Sequence, residues 1–199
     1  LTGVKNKHAY VEWVEKINEG IEKRTQEPFA VVVCDINNLK AVNDLYGHKE
    51  GDVCIRNACL RICRVFSHSP VFRIGGDEFV VILLGEDYSQ REKLMEQINE
   101  IPDNRSKIRI GETVAAGMME YEPHRHYSLS SVFEEADKAM YERKQRMKEA
   151  FSPDHEPSEN DPRPQVIPAI NVRKHILIAD DIEMNREILG DLLEEDYDI

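Results

Sequence analysis

RIGGDEFVVILL, residues 73–84, breaks an apolar, β-branched run with two glycines and two acids. The flanking segments PVFRI (70–74) and EFVVILL (78–84) have the length and residue content of strands, so the stretch reads as a hairpin. Gly75-Gly76 is a turn signal, because primed hairpin turns need a positive φ that glycine accepts without strain. A corner without Cβ atoms also lets a phosphate approach the backbone amides. Two readings stand at this point: an exposed turn whose acids serve solubility, or a site for an anion and a metal.

A second stretch tilts the balance. FAVVVCDI (29–36) is a continuous run of buried-strand length, and it closes on Asp35. If the hairpin pairs beside this strand, Asp35 converges with Asp77 or Glu78. Converging carboxylates raise one another's pKa unless a cation lies between them. Hard oxygen ligands suit Mg²⁺, which takes one or two carboxylates and completes its shell with water and substrate phosphates. The reaction class implied is metal-assisted phosphoryl or nucleotidyl transfer.

Around these two stretches the first 150 residues alternate helical and strand patterns. A helix over 7–24 carries Ala9, Trp13, Val14 and Ile17 on one face, with Gly20 near its end. A short helix follows in NNLKAVNDLYG (37–47), closed by Gly47, and a longer one is expected over 50–66. Residues 90–101 read as a helix and ETVAAGMMEY (112–121) as a strand. The last helix, over 130–149, is expected to be capped by Ser130 or Ser131, with Glu134 in capping-box register to Ser131. This order predicts an α/β (α+β) fold with a central mixed sheet flanked by helices, in the ferredoxin-like, split βαβ style.

Composition excludes several classes. With 41% hydrophobic and 32% charged residues the chain reads as soluble and globular, and no apolar stretch approaches the roughly 20 residues of a membrane span. No membrane contact by this stretch is expected. The net charge of −12 is uneven: residues 151–199 hold 13 acids against 4 bases, a net of −9, leaving −3 for residues 1–150. A broad nucleic-acid interface, which needs clustered cations, is not expected. Cys34, Cys54, Cys59 and Cys63 form no Cys-x-x-Cys pair; they read as reduced core residues rather than a metal site, in keeping with a cytoplasmic setting.

Five ordered stretches carry a family resemblance: LTGVKNKHAY (1–10), DINNLKAVNDLYGHKEGD (35–52), RIGGDEF (73–79), TVAAGM (113–118) and ADKAMYERKQRMK (136–148). Residues 1–149 resemble the GGDEF domain, the bacterial signal-transduction module of diguanylate cyclases, which condense two GTP into cyclic di-GMP and release pyrophosphate. The resemblance implies a sheet like that of polymerase palms and nucleotidyl cyclases, a Mg²⁺ (or Mn²⁺) cofactor, and a homodimer in which each domain holds one GTP.

Carried over residue by residue, the resemblance implies that Asp35, the Ile36 carbonyl, Asp77 and Glu78 bind metal. Asp77 would also serve as base toward the ribose 3′-hydroxyl, with Lys40 among the catalytic cations. Asn43 and Asp52 would recognise guanine, His48 would lie in the substrate site, Gly75 and Gly76 would leave room for phosphates, and Lys144 and Lys148 would contact them. Asp52 also reads as a helix N-cap, and the lysines as solvated surface residues. An acceptor carboxylate facing guanine N1–H and N2–H₂ disfavours ATP. Asn37 stands where a second acid is commoner, and Lys148 where Arg is. Phe66 and Ser69 occupy the Arg and Asp places of the family's Arg-x-x-Asp product-inhibition site, so feedback through that site is expected to be absent. A turnover-deficient module that binds GTP or cyclic di-GMP for regulation is the alternative.

After residue 149 the pattern changes. Residues 150–174 contain five prolines and little periodicity, which reads as an extended linker. Residues 175–199, HILIADDIEMNREILGDLLEEDYDI, resemble the opening strand and helix of a response-regulator receiver domain of two-component systems, with Asp180 and Asp181 as its acidic pair. That resemblance implies receiver or sensor domains in the parent protein; the fragment itself is too short to bury a core.

Overall fold

The structure, a computed structural model, describes residues 2–100, 113–150, 174–175 and 197–198. Its elements are β1 (Lys5–Asn6), α1 (Lys7–Glu22), β2 (Ala30–Ile36), α2 (Leu39–Tyr46), α3 (His48–Val65), β3 (Val71–Arg73), β4 (Glu78–Leu83), α4 (Gly85–Ser89), α5 (Arg91–Asn99), β5 (Val114–Glu120), α6 (Leu129–Ala150), β6 (Lys174–His175) and β7 (Tyr197–Asp198). Two units divide the chain, residues 1–165 and 166–199. In the second, β6 and β7 pair in parallel, Lys174 opposite Tyr197 and His175 opposite Asp198. Of the expected linker, 150–174, only the ends are described, Ala150 as the last residue of α6 and Lys174 as the first of β6; residues 151–173 and the acidic pair Asp180 and Asp181 lie outside the described residues.

The first unit is built on a five-stranded mixed sheet of order β1-β3-β4-β2-β5. All seven residues of β2 are buried, because the strand has antiparallel neighbours on both sides and helices on both faces. Its side chains still alternate. Ala30, Val32, Cys34 and Ile36 pack against Leu39 and Val42 of α2, Ile55, Ala58 and Ile62 of α3, and Leu94 and Ile98 of α5. Val31 and Val33 pack on the other face against Ile17 of α1 and Val132, Ala136 and Met140 of α6. The continuous apolar run of the sequence is thus one strand serving two cores.

Two close approaches set the layers. A Cβ added at Gly117 of β5 would stand 2.0 Å from the Met140 amide nitrogen, so α6 lies directly on the strand. Beside β5, the last strand in the order among the described residues, Asn99 donates to the Ala116 carbonyl and accepts from its amide, both at 3.2 Å.

Some local expectations change. Helix α6 begins at Leu129, and Ser128 is its cap, with Oγ accepting from the Ser131 amide at 3.3 Å; neither Ser130 nor Ser131 has that role. Helix α3 starts at His48, so Asp52 is inside it and not its N-cap. Gly47, with φ 84°, makes the break between α2 and α3. Strand β1 and helix α4, too short to show a period, were not expected. Among the described residues no cysteines are disulfide-linked, and Cys34, Cys54 and Cys59 are buried; no helix is long and apolar enough to cross a membrane.

Candidate active site

Parity decides where Asp35 points. It follows Val31 and Val33 on the α6 side of β2, at the strand's end, and its Cα partners are Glu78 on β4 and Ala115 on β5. Like charges directly opposite on paired strands are unfavourable without a cation. Only 7% of Asp35 is exposed. Burial pushes its carboxyl above the ordinary aspartate range; the Lys144 hydrogen bond and the charges of Lys144 and Lys148 oppose that rise, and the Asp77 charge adds to it. Lys144 on α6 forms an ion pair with Asp35 Oδ1.

The glycine corner joins β3 to β4. The Ile74 amide donates to the Glu78 carbonyl at 3.1 Å, and the Ile36 amide to the Asp77 carbonyl at 3.2 Å, so the end of β2 and the corner are stitched together. Neither Gly75 nor Gly76 has a φ in the left-handed region, so the primed turn expected of them is not what they form. Their use is steric. A Cβ at Gly75 would come within 2.6 Å of Glu78 Oε2, whereas one at Gly76 meets nothing within 4 Å and projects into open space. Arg73 Nε donates to the Gly75 carbonyl at 3.2 Å and Nη2 to the Gly76 carbonyl at 2.8 Å, which fixes the corner. Sequence reading missed this clamp, since an arginine two places before a turn gives no sign of where its fork will reach.

A second group forms around the α2–α3 corner. Asn43 lies so close to Gly51 that a Cβ there would fall 1.9 Å from Asn43 Oδ1, and Asp52 is the next residue. Asn43 and Asp52 are half-buried, while His48 and Lys40 are exposed at the starts of their helices. Asn37 is buried and donates through Nδ2 to Thr113 Oγ1 at 3.2 Å and to the Met147 sulfur at 3.6 Å. An ionised aspartate would have no proton to give either partner, so the departure at this position suits its surroundings. Lys148 is exposed near the end of α6.

Upstream of the corner, Phe66 is 1% exposed and belongs to the core. Ser69 Oγ accepts from the Leu84 amide at 3.3 Å, and the buried Asp87 accepts from the His68 amide at 3.0 Å. This loop is tied down by its own Ser69 and by Asp87 of α4.

The donor set of Asp35, the Ile36 carbonyl, Asp77 and Glu78 is all hard oxygen, with Asp35 and Glu78 opposite each other on paired strands and the Asp77 charge acting on Asp35. It fits an oxygen-seeking divalent ion that completes its shell with phosphate and water. Among the described residues no three His, Cys, Asp or Glu side chains converge as a ready-made metal cage.

Comparison with known proteins accords with this arrangement. Over 145 residues the chain is 29% identical to diguanylate cyclase DgcS of Shewanella oneidensis, covering 72% of this chain and 48% of that protein. It is 30% identical over 149 residues to the cyclic di-GMP phosphodiesterase PdeR of Escherichia coli, covering 73% of this chain and 22% of that one. The chain therefore spans less than half the length of these relatives. Among solved structures, the GGDEF domain of DgcB from Caulobacter crescentus in complex with c-di-GMP matches with a TM-score of 0.56 at 28% identity, covering 73% of this chain and 88% of that one. Residues 1–150 match the model of the diguanylate cyclase GGDEF domain, three quarters of the sequence, and the chain belongs to the GGDEF family.

Proposed function

We propose that the domain is a diguanylate cyclase, joining two GTP molecules into cyclic di-GMP with release of two pyrophosphates. The observation that carries the reading is Asp35 buried at the end of the central strand, opposite Glu78 and beside Asp77, under a corner whose Gly76 leaves open space. Mg²⁺ or Mn²⁺, when bound, would polarise the α-phosphate and lower the pKa of the attacking 3′-hydroxyl.

The chain's own residues have distinct work in this scheme. Asp35, Asp77, Glu78 and the Ile36 carbonyl would hold the ion, and Asp77 would also take the proton from the 3′-hydroxyl. Gly75 and Gly76 admit the phosphates, and Lys40, Lys144 and Lys148 offset their charge. Asn43 and Asp52 read the guanine edge, with His48 at the rim. Arg73 and Asn37 act through the backbone they hold. Because each domain holds one GTP, turnover requires two domains face to face. Phe66 and Ser69 carry no charge with which to bind a phosphate of the product, so the product brake of the Arg-x-x-Asp type is absent. Residues 1–149 are read as the cyclase domain of a cytoplasmic signalling protein, 150–174 as its linker and 175–199 as the start of a receiver domain.

Incubation with GTP and Mg²⁺, wild type against Asp77→Ala, followed by nucleotide chromatography, tests this. The wild type should form cyclic di-GMP at a rate rising more steeply than linearly with protein concentration, and Asp77→Ala should form none. Tight binding of GTP or cyclic di-GMP by calorimetry with no product at any protein concentration would make the domain a binding module instead.

A further inference from the structure

If Asp35 is a metal ligand, as proposed above, the position of Lys144 bears on when the metal can bind. Contact of α6 with Gly117 brings the helix onto the sheet at Met140, and one turn later Lys144 Nζ reaches Asp35 Oδ1. The two side chains are 22% and 9% exposed, so the pair is largely shielded from water. Lys148, a further turn on, adds positive charge toward the same carboxylate. Of the three acids at the corner, Asp35 is the buried one, Asp77 is half-buried and Glu78 is exposed. A buried carboxylate needs a partner, and a divalent ion arriving alone would have to displace an ammonium already in place, then share the neighbourhood with it.

We propose that Lys144 is an internal counter-ion for Asp35 in the nucleotide-free domain, and that it makes divalent-metal binding conditional on a nucleoside triphosphate, whose phosphates draw the ammonium away from the carboxylate. Metal and nucleotide then bind with positive coupling, each raising the other's affinity by the same factor. The domain thereby keeps a charged, buried metal ligand without holding a metal when no substrate is present.

The test is Mn²⁺ binding to the full chain, followed by electron paramagnetic resonance of the free ion, with and without a GTP analogue carrying a methylene between its α- and β-phosphorus atoms. Lys144→Gln keeps a donor for Asp35 and removes the charge. It should bind Mn²⁺ alone about tenfold more tightly than wild type or better, since a cation a few ångströms away repels an incoming ion strongly at any protein dielectric. The analogue should tighten Mn²⁺ binding by about tenfold or more in wild type and far less in Lys144→Gln. Equal Mn²⁺ affinity of the two proteins without nucleotide overturns the inference while leaving the metal site standing. If Asp35→Asn leaves Mn²⁺ binding unchanged even with the analogue, the metal reading fails, and this inference with it. Should Lys144→Gln not fold by circular dichroism, Lys144→Arg decides: it should bind Mn²⁺ alone no better than wild type, and tighter binding refutes the counter-ion role.

Discussion

Gly117→Ala should damage stability and the candidate site together. The added methyl would meet Met140 N at 2.0 Å, Ala136 O at 2.5 Å and Ala139 C at 2.6 Å. All three are backbone atoms of α6, which cannot turn aside as a side chain can. The nearest contact falls short of the van der Waals optimum by about 1.5 Å, so the helix must lift by about that much or the strand must buckle. Overpacking of a well-filled core costs about 1–3 kcal/mol, and rigid helix backbone belongs at the upper end. Replacing glycine in a strand returns about 0.5–1 kcal/mol of entropy, leaving a net loss of about 2 kcal/mol. With an m-value of about 2 kcal/mol/M, the urea midpoint should fall by about 1 M. The same lift carries Lys144, four residues along the helix from Met140, away from the corner where it would meet the phosphates, so affinity for a GTP analogue measured by calorimetry should also fall. A midpoint within about 0.2 M of wild type would refute the close packing of α6 on β5 that supports both effects.

Gly76→Ala makes the opposite case, because a Cβ there meets nothing within 4 Å and the backbone φ is ordinary. Thermal stability should stay within about 1 kcal/mol of wild type or rise slightly, while nucleotide affinity drops, and unaltered affinity would remove that glycine from the phosphate site. Tyr10, edge-on to Phe72 with centroids 5.5 Å apart, has its phenol pushed up to about 12 by burial. Its folded value is raised, so its contribution to stability is complete below the free-phenol value of about 10 and is lost as pH rises through 12. Melting temperatures across that window should fall less steeply for Tyr10→Phe than for wild type, with absorbance near 295 nm following the titration; identical slopes would contradict the burial.

How far the sequence revealed the site depends on what each signal encodes. The β-branched run 29–36 identified a buried strand, but burial on both faces hides the period of two, and only the sheet's register puts Asp35 on the side of α6. Lys144, 109 residues away, is legible as a partner only after that. Of the two reasons for the Gly75-Gly76 pair, the primed turn fails, since neither has a positive φ, while the need for a corner without Cβ atoms stands as clearance beside Glu78 and into open space. Ser131 with Glu134 fits the capping-box pattern, yet the chain starts α6 one turn earlier, where Asn18 of α1 also accepts from the Leu129 amide at 2.8 Å. That contact joins residues 111 apart, which local patterning cannot carry. Arg73 and Asn37 were seen as letters in motifs; what they hold is backbone and side chain brought near by the sheet.

The acids at the corner work against the fold that carries them. Val31, Val33 and Asp35 share one face of β2, so the residue after two core valines is a carboxylate under α6, in register with a second acid on β4. A valine there would extend the core without an opposing charge. Burial and Asp77 both raise the Asp35 pKa, and Lys144 offsets only part of it. A raised carboxyl favours the folded state below the free aspartate value near 4, and that contribution is gone once pH exceeds the folded pKa. Whenever Asp35 is charged it is therefore a standing cost, one that a divalent ion in the presence of nucleotide would relieve. The strand end is the place where such a cost can be kept, because the two cores on either side are complete without it.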